Sequence, residues 1–73
     1  MSYPKPDLEN IFKYHAPTPE QLPKYQALRE AAKAFALKIE ELVPDGADKA
    51  AALRKVREAV MTANAAIALG GKL

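Results

Sequence analysis

YQALREAAKAFALKIEELVPDG, residues 25–46, decides how this chain folds. Tyr25, Leu28, Ala32, Phe35, Ile39 and Leu42 recur at alternating steps of three and four, which sets them along one side of a helix. The run stops at Pro44-Asp45-Gly46, because proline cannot continue a helix and glycine opens the turn. Downstream, Leu53, Val56, Val60, Ala63 and Ile67 repeat the spacing until Gly70-Gly71 ends it. Asp45 or Gly46 is the expected cap of this second helix. Asp48 adds negative charge near its amino end, where the helix dipole favours it. The sequence thus predicts helices over residues 23–43 and 46–69, each about 30 Å long. So short a linker between two such helices implies an antiparallel hairpin.

Upstream, five of the six prolines fall between residues 4 and 23. Residues 1–6 read as an extended or mobile arm, since their prolines lack backbone donors. DLENIFKYH, residues 7–15, reads as a short helix, with Asp7 as cap and Leu8, Ile11 and Phe12 on one face. Thr18-Pro19-Glu20-Gln21 has the form of a capping box with proline at the first helical position. Pro23 would then remove a hydrogen bond inside the first turns. A short turn over residues 18–22 is therefore expected before the main helix. The fold class expected is all-α: one domain, a helical hairpin with a short N-terminal helix.

A chain of 73 residues buries only about 60% of its unfolded surface, so its core alone is marginal. Small domains are usually reinforced by disulfides, a metal or a partner subunit. Cysteine is absent, which removes disulfides and thiolate chemistry, and the single His15 does not make a metal site. Self-association is the remaining support. Ala27, Ala31 and Ala34 beside the first seam, and Met61, Ala65, Ala68 and Leu69 on the second helix, supply further smooth faces. Alanine also serves simply as the best helix former, but a hairpin has one internal interface, and a second apolar stripe calls for a partner. Eleven Lys/Arg against nine Asp/Glu give a net charge of +2, too weak for a duplex-DNA binder. No run suits a membrane span, and no signal peptide opens the chain, so a cytosolic protein is expected.

The residues offer no catalytic constellation: no nucleophile–base–orienter set, no glycine-rich phosphate loop, no cofactor motif. Neither enzyme activity nor a cofactor is expected. A binding set can be assembled instead. Phe12-Lys13-Tyr14-His15 gathers two rings, a cation and an imidazole, and Arg29 and Lys33 lie four apart on one helical face. Rings stack on nucleobases, while Arg and Lys attract phosphates. In a hairpin Asn64 lies near the start of the main helix and could join them. Each residue has a second reading: Tyr14 as a staple, His15 as a turn residue, Arg29 and Lys33 with Glu30 as a solvated face, Asn64 as a register-fixing amide.

Two stretches, FKYHAPTPEQLPKYQALREAAKAFA (residues 12–36) and REAVMTANAAIA (residues 57–68), resemble the small phage proteins of the anti-CBASS sponge family. The family's Phe-x-Tyr-His-x-Pro opening falls on residues 12–17, its Tyr-x-x-Ile/Leu-Arg-x-x-Ala-Lys helix on 25–33, and its Glu-Ala-Val-Met-x-Ala-Asn-Ala-Ala-Ile-Ala ending on 58–68. The resemblance implies a hairpin assembled into a homo-oligomer, a hexamer in the best-known members. Such an assembly binds cyclic dinucleotides between protomers and withholds them from bacterial antiphage effectors. It implies action in the cytoplasm of the infected bacterial host. Carried onto this chain, Tyr14 would stack on a base, His15 follows it, and Arg29 and Lys33 match cationic positions suited to phosphates. After the Ala-Asn-Ala-Ala-Ile-Ala run, relatives commonly place an arginine where this chain has Leu69, which puts the family's second, cyclic-trinucleotide pocket in doubt. The competing expectations are a helical module that docks on and inhibits a host protein, and a phosphodiesterase, against which the lack of a metal site argues.

Overall fold

A computed structural model describes residues 5–71. It contains three helices, α1 (Leu8–Ile11), α2 (Leu22–Leu42) and α3 (Ala47–Leu69), and no strand among the described residues. The expected long helices are present within one residue of their predicted ends, and α2 packs against α3 as an antiparallel hairpin. The expected arm at residues 1–6 lies mostly outside the described residues; Lys5 and Pro6 are exposed and irregular.

α1 is shorter than the predicted 7–15. Asp7 caps it as expected, its Oδ1 accepting the Asn10 N–H at 3.2 Å. The helix closes in a tightened turn: the Asn10 carbonyl, which would accept the Tyr14 N–H in a continuing helix, accepts the Lys13 N–H at 3.4 Å and the His15 Nε2–H at 2.7 Å. Pro17 adds to this by pushing Ala16 away from helical backbone angles.

The turn before α2 forms as expected. The Thr18 carbonyl accepts the N–H groups of Gln21 (3.0 Å) and Leu22 (3.2 Å). Gln21 Oε1 reaches back to the Thr18 N–H at 3.0 Å, the returning half of a capping box. Pro23 falls in the first turn of α2, where a missing N–H costs no helical bond.

The two helices are tied at both ends. At the open end, Gln21 Nε2 donates to the Ile67 carbonyl at 3.1 Å. At the turn end, Lys49 Nζ donates to the Glu40 carbonyl (3.1 Å) and to Asp45 Oδ1 (3.0 Å), with Glu40 Oε2 at 3.5 Å. The last turn of α2 holds no basic residue, so Lys49 arrives from α3 to satisfy its carbonyl end. The Asp45 hydrogen bond, reinforced by both carboxylates against the cost of burial, raises the Lys49 pKa above its ordinary 10.5. α3 ends in a Schellman motif: the Gly71 N–H reaches the Ala66 carbonyl (2.8 Å) and the Gly70 N–H that of Ile67 (3.2 Å). Gly70 stands at φ 63°, a left-handed conformation that glycine adopts without strain.

The core between the helices is thin. Ile39 is its one buried apolar side chain among the described residues, at 8% exposure, and Lys49 is as deep at 9%. Leu28, Ala32, Leu53, Val56, Val60, Ala63 and Ile67 are only half-buried. Phe35 and Leu42, expected along the seam, are 59% and 72% exposed. The cause is helical phase: a three-four alternation averages 3.5 residues per turn, and on a straight helix it drifts by about 20° per heptad. The row Leu28–Phe35–Leu42 therefore rotates out of the interface. The accessible surface is 6228 Å², against roughly 4,400 Å² for a compact monomer of this mass. The radius of gyration, 15.3 Å, likewise exceeds the about 11 Å of a globular domain of this length.

Candidate functional site

Each long helix turns once every 3.6 residues, and this phase separates two flanks of the hairpin. On α2, Ala31 lies about 80° to one side of Ile39 and Arg29 about 80° to the other. On α3, Ala59 and Arg57 stand in the same relation to Ile67. Leu28, Ala31, Phe35, Ala52, Ala59 and Ala63 line an open groove of about 600 Å³ on the first flank, whose one charged lining residue is Lys55. Arg29, Lys33 and Asn64 are absent from that lining and belong to the opposite flank.

The structure brings Arg29 and Lys33 together as the sequence predicts: both are exposed on that second flank, and neither has an ion-pair partner among the described residues. Glu30, their sequence neighbour, points outward and accepts a hydrogen bond from Gln26 Nε2 at 3.2 Å. It does not neutralise them. Asn64 is half-buried on α3, and the Gln21–Ile67 bond confirms that this end of α3 lies beside the start of α2. Its Oδ1 is buried with no hydrogen-bond donor, an orphaned acceptor of the kind folded proteins rarely tolerate.

The aromatic segment is placed differently. Phe12 and Tyr14 are each 84% exposed, so neither ring staples the segment to the hairpin. His15 is half-buried and bonded to the Asn10 carbonyl, which ties Nε2 and leaves Nδ1 as the free ring nitrogen. Among the described residues no hydrogen bond or ion pair joins Phe12, Tyr14 or His15 to Arg29, Lys33 or Asn64. Within one chain the set thus comprises an exposed aromatic segment and a cationic flank with no polar tie between them.

Two residues of consequence escaped the sequence reading. Gln21 was read only as part of a capping box, yet its amide also bridges the helices. Lys49 carries no expectation from the sequence; its four-residue spacing from Asp45 and the missing base at the end of α2 are the available signals. Among the described residues no helix is long and apolar enough to cross a membrane.

Comparison with curated proteins and with solved structures returns no match. The family described as Acb2/Tad1, hairpin domain, matches residues 4–68. That span takes in the aromatic segment, the cationic flank and both ties of the hairpin. The chain belongs to the Acb2/Tad1 hairpin family, the anti-CBASS cyclic-oligonucleotide sponges.

Proposed function

We propose that this chain assembles with copies of itself and sequesters cyclic dinucleotides, without degrading them, in the cytoplasm of a phage-infected bacterium. The observation that carries the reading is an exposed, unpartnered Tyr14 ring alongside unneutralised Arg29 and Lys33, all inside the matched span. Tyr14 offers a stacking face for a base, and the two cations offer charge for the phosphodiesters. Among the described residues no hydrogen bond joins the aromatic segment to the cationic flank within one chain, and a pocket between protomers, as the family resemblance implies, would bring groups of two chains to one ligand. Assembly is supported by the surplus surface, roughly 1,800 Å² over a compact monomer, which is of the order a stable interface removes. The oligomer number expected from the family resemblance is six.

Sequestration needs affinity and stoichiometry, not turnover. The test is a calorimetric titration with a panel of cyclic dinucleotides, followed by heat release and chromatography of the ligand. Tight binding with the ligand recovered intact is the expected result, and Tyr14→Ala should weaken it at least about tenfold. With Leu69 in place of an arginine, cyclic triadenylate should bind far more weakly than the best dinucleotide. The apolar groove also fits a second reading, a module that docks on a host protein. A monomer in solution that ignores every cyclic dinucleotide would favour it.

A further inference from the structure

We infer that Arg57 is a third phosphate-binding cation of the same site, completing an anion-binding flank with Arg29 and Lys33. This rests on the sponge reading for its ligand, and on the hairpin register for its geometry. Gln21 beside Ile67 at one end and Glu40 beside Lys49 at the other fix how α2 and α3 pair. That pairing sets Arg57 level with Ala31, hence about 3 Å along the axis from the levels of both Arg29 and Lys33. Arg57 also faces the same way. The groove takes Ala31 and Phe35 from α2 and Ala52 and Ala59 from α3, so the flank carrying Arg29 and Lys33 is the one carrying Arg57. With the helix axes about 8–10 Å apart, a phosphate lying over the cleft is within reach of all three side chains.

The charges around this point are one-sided. Arg57 is exposed and without an ion-pair partner among the described residues, like Arg29 and Lys33. The carboxylates at this level, Glu30 and Glu58, project from the outer faces of their helices. Glu40 is the acid on the flank itself, and it lies at the turn end, engaged by Lys49. Three cations without a counter-charge make a site for an anion with more than one negative group, and a cyclic dinucleotide carries two. Asn64 lies on the same flank, two turns further along α3, with an acceptor oxygen that lacks a donor.

The experiment compares wild type, Arg57→Ala, Arg57→Lys and Lys38→Ala, the last a cation on the other side of α2 paired with Glu41. Each is titrated with cyclic di-AMP and cyclic GMP-AMP by calorimetry, while NMR follows the Arg57 Nε–H resonance during titration with inorganic pyrophosphate. Thermal melts confirm that all four fold alike. Arg57→Ala should raise Kd about tenfold and flatten its salt dependence, with Arg57→Lys recovering part of the loss and Lys38→Ala leaving affinity unchanged. Unchanged affinity in Arg57→Ala overturns the inference and leaves the sponge reading standing. If wild type binds neither cyclic dinucleotide, the sponge reading fails by itself. A saturable Arg57 shift with pyrophosphate then still supports the anion site, and a flat titration overturns it.

Discussion

The two flanks of the hairpin are made by the same two helices and differ completely in chemistry. One is a groove walled by Leu28, Ala31, Phe35, Ala52 and Ala59, and the other carries Arg29, Lys33, Arg57 and the orphaned amide oxygen of Asn64. Residues two apart on α2, Arg29 and Ala31, fall on opposite sides because a helix turns 200° over two positions. The lesson is that helical phase alone can divide a two-helix protein into an apolar surface that calls for cover and a cationic surface open to an anion. Neither flank needs a loop or a cofactor.

The division is sharpest if the flanks fail separately. Phe35→Asp puts an unpaired carboxylate on the apolar flank; it should cost assembly about 3 kcal/mol or more and leave monomers in analytical ultracentrifugation. Arg29→Ala, on the other flank, should leave the oligomer intact and weaken cyclic dinucleotide binding about tenfold in calorimetry. Loss of assembly in both variants would erase the comparison.

The ties that hold the flanks in register predict smaller effects. Lys49→Met leaves the Glu40 carbonyl and Asp45 without their donor and should lower the melting temperature by several degrees. Because the folded state raises the Lys49 pKa while Asp45 and Glu40 are ionised, its contribution is complete from neutral pH up to 10.5 and disappears as pH climbs through the higher folded value. Melts from neutral to alkaline pH should therefore show a constant gap between wild type and Lys49→Met that closes only above pH 10.5. Gly70→Ala should be the mildest change, about 1 kcal/mol from forcing a side chain into the left-handed region in chemical denaturation.

The hairpin was legible because its signals are local and repeated: the three-four rows, Pro44 to Gly46, Gly70 and the Asp7 cap. What was not legible depends on pairing between helices. Arg57 joins Arg29 and Lys33 only once Gln21 is seen against Ile67, and no spacing along the chain contains that register. Lys49 is buried because a neighbouring helix ends beside it, which its own sequence context does not state. Phe35 followed the predicted row and still left the interface, since a 3.5-residue pattern on a 3.6-residue helix drifts. The extent of α1 turned on contacts at the Asn10 carbonyl, which takes the Lys13 N–H and the His15 imidazole proton. Of the candidate site, the residue types and the Arg29–Lys33 face were readable, while the place of Arg57 beside them was not.

The amide of Gln21 has a consequence for how the molecule opens. Its oxygen holds the turn that starts α2, and its nitrogen holds the last turns of α3. A hairpin that zips from residues 43–46 closes this end last and frays there first. When the amide lets go, the start of α2 and the end of α3 are released together, so the segment bearing Tyr14 and the stretch bearing Asn64 loosen as one unit. A ligand that grips both would clasp the zipper at its open end, and the grip and the closure would strengthen each other.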